Sequence, residues 1–229
     1  MNRMNLIILS ALSAIGVCSC ELDNYDYPDS GIYGRILDAE TGELVQQDII
    51  EGTKIYFVEH GYDNPPVQKM VIKNNGEYRN TLMFAGTYTM HTSTDSNFAP
   101  VEPFEIKIDG LVRHDFKVMP FIRLNDVRIY RTGNKIKANF TLSQTGYDNV
   151  SSMALFASSQ PVVGAYLNDA QVIVPLGQYY SEPTAMEIEL DLTDYPVLKS
   201  GRTWYFRVGA LISIGGAKYN YAQAVPIEL

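Results

Sequence analysis

Cysteine is almost absent from this chain of 229 residues. Its two cysteines, Cys18 and Cys20, both lie close to the start, and none follows them. The 209 residues after Cys20 therefore form no internal disulfide, and any fold there must depend on a hydrophobic core. Hydrophobic residues make up 46% of the chain, which is enough for one large or two modest domains.

Long apolar runs are scarce as well. The apolar stretch from Leu6 to Val17 is shorter than the roughly 20 residues that a membrane-spanning helix needs. It follows the positively charged Arg3 and precedes small residues, an arrangement typical of a secretory signal. We therefore predict a signal peptide at residues 1–19 and no membrane-spanning anchor.

Positive charge is in deficit. The chain has 18 Lys and Arg against 26 Asp and Glu, a net charge of −8, and the sequence shows no basic patch. Nucleic acids and anionic lipid headgroups attract clustered Lys and Arg. We therefore expect no nucleic acid partner and no direct binding to lipid headgroups.

Recognisable catalytic and metal-binding motifs are missing. The three histidines, His60, His91 and His114, are widely separated and lack zinc-ligand spacing. No nucleophile elbow, phosphate-binding glycine loop or dinucleotide fingerprint occurs. A glycosidase needs two carboxylates, but Glu187 and Glu189 alternate with apolar residues as on the solvated face of a strand. We predict no catalytic residues, no metal and no cofactor, and a hydrolase is the weakest alternative.

Tyrosine and strand-forming residues are abundant. Sixteen Tyr and nine Phe accompany many Val, Ile and Thr, which favours strands, and no long segment has helical spacing. Short strand-like runs are separated by turn residues, with hairpins predicted at Asn75-Gly76, Asp109-Gly110 and Thr132–Lys135. The chain is predicted to be all-β, with two consecutive β-sandwich domains at residues 30–120 and 121–229.

The start of the chain resembles that of bacterial lipoproteins. Val17-Cys18-Ser19-Cys20 is similar to a lipobox, which implies that Cys20 is acylated and begins the mature chain. The acidic residues after it make 20–29 a solvated tether and also resemble export tags of surface lipoproteins; a plain acidic spacer is the alternative. The resemblance implies an outer-membrane protein, held by its lipid anchor only and facing the extracellular side.

Both predicted domains carry family-like segments. Residues 31–44, Asn75-Gly76-Glu77-Tyr78 and residues 84–88 resemble carboxypeptidase-regulatory-like, transthyretin-like domains. Residues 198–210 resemble the E–F corner of fibronectin type III domains. Trp204 stands where that family has a corner tyrosine, so either its indole N–H bonds to the upstream backbone or the corner is rebuilt. We expect Trp204 in the core.

Together these features resemble a group of outer-membrane lipoproteins from polysaccharide-utilisation loci. The resemblance implies a non-catalytic accessory protein that binds or captures polysaccharide or oligosaccharide. Its implied partners are a starch-utilisation-type outer-membrane importer and that importer's glycan-binding lipoprotein. The alternative is a structural spacer, scaffold or adhesin-like protein that contacts other surface proteins.

Aromatic residues in loops are the candidates for glycan contact. Sugar rings pack on aromatic planes, while acids and amides bond sugar hydroxyls. Two adjacent tyrosines cannot both point into a core from one strand face, so residues 175–181 are the best segment. The alternative for each tyrosine is a buried ring in a strand. The candidate residues are Tyr62, Asp63, Tyr147, Asp148, Tyr179 and Tyr180.

Overall fold

The computed structural model describes residues 27–229, and these contain sixteen strands and no helix. The all-β prediction is confirmed. The predicted signal peptide, Cys20 and most of the tether lie outside the described residues. Within the described part of the chain, no helix is long and apolar enough to cross a membrane.

The N-terminal domain is a sandwich of two sheets. Its strands are β1 (Ser30–Asp38), β2 (Lys54–Glu59), β3 (Gln68–Val71), β4 (Glu77–Met83), β5 (Gly86–Thr92), β6 (Phe104–Ile108), β7 (Leu111–Arg113) and β8 (Phe116–Val118). One sheet has the order β4-β1-β7, with β8 also paired to β1, and the other is β3-β2-β5-β6. Alternate residues of each strand point inward, so Ile32, Ile36, Ile55 and Met90 are fully buried between the sheets.

Two of the three predicted hairpins are wrong in their pairing. Gly76 and Gly110 do take the positive φ that tight turns require, 85° and 64°. However, β3 and β4 belong to different sheets, and so do β6 and β7. A turn reverses the chain locally, whereas packing of the two apolar faces decides which strands pair. The β9–β10 hairpin at Thr132–Lys135 is confirmed.

The C-terminal domain is a second sandwich. Its strands are β9 (Ile122–Thr132), β10 (Lys135–Gln144), β11 (Val150–Ser158), β12 (Ala170–Gln178), β13 (Thr184–Asp191), β14 (Thr203–Ile212), β15 (Asn220–Tyr221) and β16 (Val225–Glu228). One sheet has the order β13-β10-β9 and the other β12-β11-β14-β15, with β16 also paired to β14. β12 continues to Gln178, so part of the predicted loop 175–181 is strand.

Trp204 closes the corner before β14. It is 2% exposed, and its indole N–H donates to the Lys199 carbonyl at 2.9 Å. Of the two alternatives for this corner, the structure has the one in which the indole replaces the tyrosine hydroxyl. The Arg202 guanidinium covers the outer ring face 4.7 Å from its centre.

Buried polar contacts join the two domains. Arg207 on β14 is 1% exposed and donates five hydrogen bonds. Its acceptors are the carbonyls of Gln47, Asn74, Val163 and Ala222 and the side-chain oxygen of Gln46, at 2.8–3.4 Å. Three of these acceptors belong to the N-terminal domain. Burial lowers the pKa of Arg207 to about 10, so the side chain remains a cation at neutral pH.

Further contacts surround Arg207. Its guanidinium lies 4.2 Å from the ring centre of Tyr221, whose hydroxyl donates to Asp48 of the N-terminal domain at 3.1 Å. The Asn97 amide donates to the Tyr219 carbonyl at 3.2 Å, and the Asn220 amide donates to the Asn97 carbonyl at 2.8 Å. Because buried polar groups are costly without partners, this network fixes one domain against the other.

We predict that Arg207→Leu lowers the free energy of unfolding by about 3 kcal/mol or more, because it leaves buried acceptors without donors. It should also separate the unfolding of the two domains into two transitions. Denaturant unfolding followed by fluorescence and circular dichroism measures both effects. Arg128→Leu, at an exposed position of β9, is the control and should change stability by less than about 0.5 kcal/mol. Equal effects of the two substitutions would contradict the proposed coupling.

Candidate functional site

An exposed pair of tyrosines lies at the end of the C-terminal domain nearest the interdomain linker. Tyr147, in the loop between β10 and β11, is 91% exposed, and Tyr179, directly after β12, is 43% exposed. Their ring centroids are 6.4 Å apart, with the planes inclined by 31°. Two of the predicted glycan-contacting residues, 32 positions apart in the chain, are thus brought together into one aromatic surface, the tyrosine pair.

Gln144 holds the two loops that carry the pair. Its side-chain amide donates to the carbonyls of Gly146 and Asp148 at 2.9 and 3.0 Å, and its side-chain oxygen accepts from the Tyr180 backbone N–H at 3.0 Å. Asn149 adds a second link, because its amide donates to the Gly177 carbonyl at 3.2 Å. The rings are therefore displayed on short, tied loops, which reduces the entropy lost when a ligand orders them.

The loop is also tied to the linker. The Thr145 hydroxyl donates to the Pro120 carbonyl at 2.7 Å, and the Thr145 N–H donates to the Phe121 carbonyl at 3.1 Å. Asp148, the residue after Tyr147, is exposed as well. Aromatic rings that stack on a sugar ring and an exposed carboxylate that accepts hydrogen bonds from sugar hydroxyls together suit a sugar-binding surface.

The other predicted residues lie elsewhere or are less available. Tyr180 is half-buried and packs against the core of the C-terminal domain. Tyr62 is 65% exposed and Asp63 is exposed, both in the β2–β3 loop of the N-terminal domain. That loop follows the end of β2, whose start lies beside the interdomain residue Asn97, so the length of β2, about 20 Å, separates it from the junction. Tyr62 and Asp63 are not part of the tyrosine pair.

Tyr166 is an exposed aromatic residue that the sequence patterns did not single out. Mutual hydrogen bonds between the backbones of Gly164 and Leu167 form a tight turn that leaves Tyr166 59% exposed. The turn is anchored at the domain junction, where the Ala165 N–H donates to the Tyr221 hydroxyl at 3.0 Å. The signal in the sequence is an isolated glycine, Gly164, two residues before Tyr166. This signal is weak, because contacts at the domain junction hold the turn in place.

The histidines are spread over the N-terminal domain. His114 stacks on Phe104 with ring centroids 5.0 Å apart, and burial lowers its pKa. His91 packs against Tyr56 at 5.3 Å, and exposed His60 bonds the Thr89 hydroxyl at 2.7 Å. Across residues 27–229, no three side chains of His, Cys, Asp or Glu converge as a metal site would require.

We predict that Gln144→Ala loosens the tyrosine pair without unfolding the domain. Each lost hydrogen bond is worth about 1 kcal/mol, so amide hydrogen exchange at residues 145–149 and 179–181 should rise roughly five- to tenfold. Mass-spectrometric hydrogen exchange measures this increase. Gln178→Ala, an exposed glutamine at the end of β12, is the matched control and should leave both segments unchanged. Unchanged exchange in Gln144→Ala would show that other contacts hold the loops.

This two-domain β-sandwich architecture matches a defined family. The model described as "Protein of unknown function (DUF3823) N-terminal domain" matches residues 30–119, and the model described as "Domain of unknown function (DUF3823_C)" matches residues 122–226. The chain belongs to the DUF3823 family. No curated protein matches it.

Solved structures share the whole arrangement. A proposed carbohydrate-binding protein of Bacteroides uniformis ATCC 8492 is 33% identical, with a TM-score of 0.76, and the match covers 88% of this chain and 100% of that one. A DUF3823 family protein of Parabacteroides merdae ATCC 43184 is 18% identical, with a TM-score of 0.77 and coverage of 89% and 100%. One from Bacteroides ovatus ATCC 8483 is 20% identical, with a TM-score of 0.73 and coverage of 87% and 99%.

Proposed function

We propose that this protein is a non-catalytic, lipid-anchored surface protein that captures glycan chains on the tyrosine pair. The observation that carries the proposal is the exposure of Tyr147 and Tyr179 as neighbouring rings on tied loops. Neighbouring exposed rings form an apolar patch of the kind that marks binding surfaces, and sugar rings offer apolar C–H faces to them.

The similarity to the Bacteroides uniformis protein supports this proposal. That protein is itself proposed to bind carbohydrate, and it is 33% identical to this chain over nearly its whole length. The lipobox-like segment ending at Cys20 and the acidic residues after it support a location at the outer membrane, facing outward. An outer-membrane glycan importer and its partner lipoprotein are the proposed recipients of the captured chain.

Replacing both rings tests glycan capture. We expect Tyr147→Ala/Tyr179→Ala to weaken binding to the best ligand among soluble starch, arabinoxylan and galactomannan by about tenfold or more. Each aromatic contact is worth about 0.5–1.5 kcal/mol, and 1.4 kcal/mol is a factor of ten. Affinity electrophoresis and titration calorimetry of the full chain in detergent micelles measure the loss.

Two controls sharpen this test. Tyr147→Phe/Tyr179→Phe keeps both rings and should retain most of the affinity. Tyr130→Ala removes a tyrosine that is 41% exposed on β9, away from the pair, and should change nothing. If none of the three polysaccharides binds the unaltered chain, or if Tyr130→Ala weakens binding as much as the double variant, the tyrosine pair is not a site for these glycans.

Lipid anchoring is tested separately. We expect Cys20→Ala to leave the membrane fraction, because the acyl chains attached at this residue supply the anchoring energy. Cys18→Ala is the matched control and should fractionate like the unaltered protein. Protease added to intact cells should degrade the unaltered protein if it faces outward. A Cys20→Ala chain that stays with the membrane would exclude this anchor.

A scaffold role is the second candidate, and the interdomain network favours it. Arg207 and its five acceptors hold the domains in one orientation, as a rigid spacer between the membrane and a partner would require. Co-purification with the importer or its partner lipoprotein, unaffected by Tyr147→Ala/Tyr179→Ala and without glycan affinity, would favour this role.

A further inference from the structure

A second surface, on the N-terminal domain, carries an arginine-flanked tyrosine. Tyr33 on β1 lies in register with Arg79 on β4 and with Arg113 on β7. The three side chains point away from the core, and Tyr33 is 36% exposed. Adjacent strands are about 4.8 Å apart, so two guanidinium-bearing strands flank one aromatic ring within about 10 Å.

Further cations surround this row. A groove of about 340 Å³ is lined by Tyr33, Arg35, Lys73, Arg79 and Arg113, and among residues 27–229 the carboxylates that line it are Glu77 and Asp115. Four cations against two anions leave an excess of two positive charges in a chain whose net charge is −8. The sequence shows no basic patch because these residues come from separate segments. We name this groove the arginine groove.

The acids of the arginine groove are already engaged. Asp115 accepts from Arg113 at 2.7 Å and from Arg35 at 3.4 Å. Although burial opposes it, these two hydrogen bonds lower the pKa of Asp115, which is therefore charged at neutral pH. Glu77 accepts from the Asn75 amide at 3.0 Å.

Two cationic side chains of the arginine groove have no ionic partner in the part of the chain that the structure describes. Among the ion pairs of residues 27–229, none involves Arg79 or Lys73. The Arg79 guanidinium lies 6.0 Å from the centre of the Tyr33 ring, and the Nε of Arg35 is buried without a hydrogen-bond acceptor. A bound anion would supply the ionic partner that Arg79 and Lys73 lack.

The floor of the arginine groove is rigid. A side chain at Gly34 would overlap the His114 carbonyl, which the Tyr78 hydroxyl also bonds. The Asp115 carboxylate accepts from the Arg35 backbone N–H at 3.0 Å, where the edge pairing breaks between β7 and β8. The strand that carries Tyr33 and Arg35, β1, is thus held in place by its contacts with His114 and Asp115.

We infer that the arginine groove binds an acidic sugar, with the sugar ring on Tyr33 and its carboxylate or sulfate between Arg79 and Arg113. Guanidinium groups bind planar carboxylates and sulfates through paired hydrogen bonds, and the ring between them supplies the apolar contact. This inference rests on the proposed role in glycan binding, names acidic glycans as a ligand class and places them on a site separate from the tyrosine pair.

Matched polysaccharides test the role of the negative charge. The probes are polygalacturonate with its fully methyl-esterified form, and heparin with its desulfated form, titrated against the full chain in detergent micelles. We expect polygalacturonate to bind tenfold or more tighter than its neutral ester, or heparin to bind tenfold or more tighter than its desulfated form, which keeps its carboxylates. Raising the salt concentration from 50 to 300 mM should weaken that binding. Loss of binding on esterification of polygalacturonate reports a carboxylate site, and loss of binding on desulfation of heparin reports a sulfate site.

Variants of equal charge test the position. Arg79→Gln/Arg113→Gln should weaken binding of the acidic glycan at least tenfold, and Tyr33→Ala should weaken it about threefold or more. Arg128→Gln/Arg131→Gln removes the same two charges from exposed positions of β9 and should reduce binding less than twofold. Thermal unfolding confirms that each variant is folded. An equal loss in both arginine double variants would overturn the inference, since it would show binding to net charge alone.

The outcomes separate this inference from the proposed function. If neutral glycans bind through the tyrosine pair while neither acidic polysaccharide binds, the arginine groove is not a glycan site and the proposed function stands. If acidic glycans bind and only the Arg79/Arg113 variant loses them, the inference stands even where the tyrosine pair fails. If the protein co-sediments with anionic phospholipid vesicles in a manner that depends on Arg79 and Arg113, but no acidic glycan binds, the inference is overturned.

Discussion

One buried guanidinium determines how the two domains of this protein are arranged. A charge removed from water is costly unless every donor finds an acceptor, and the five hydrogen bonds of Arg207 provide those acceptors. Because the acceptors are backbone or amide oxygens of both domains, any rotation of one domain leaves part of the guanidinium without partners. The relative orientation of the domains therefore depends on satisfying this side chain, together with the Tyr221–Asp48 and Asn220–Asn97 hydrogen bonds beside it.

The sequence could predict features that depend on local spacing. Trp204 was expected in the core from the corner segment that carries it, and it is buried, as are Phe206 and Val208, which alternate with it along β14. The same alternation places Arg207 on the opposite, nominally solvated face. Arg207 does lie on that face, but the N-terminal domain covers it. The alternation of residues within one strand cannot predict burial by another domain. The buried charge is therefore the feature that single-strand reasoning misses.

The candidate sites divide in the same way. Tyr147 and Tyr179 were predictable one by one, because Gly, Asp and Asn around Tyr147 and the doubled tyrosine at 179 mark exposed loops. Their proximity was not, since it depends on the pairing of Val150 with Gln178 that brings the two loops together. The arginine groove could not be predicted from the sequence, because Arg79 and Arg113 are brought to one surface only by the register of each with Tyr33.

The junction gives the two proposed glycan-binding surfaces a fixed separation. The tyrosine pair belongs to the C-terminal domain and the arginine groove to the N-terminal domain, so their separation is held by Arg207 and its acceptors. A long glycan that contacts both surfaces meets its second contact as an intramolecular event, without the entropy that a flexible linker would lose. Loosening the junction at Arg207 would weaken the binding of such a glycan even though neither surface is altered. Short oligosaccharides that reach only one surface would be unaffected, so dependence on ligand length is the signature of this coupling.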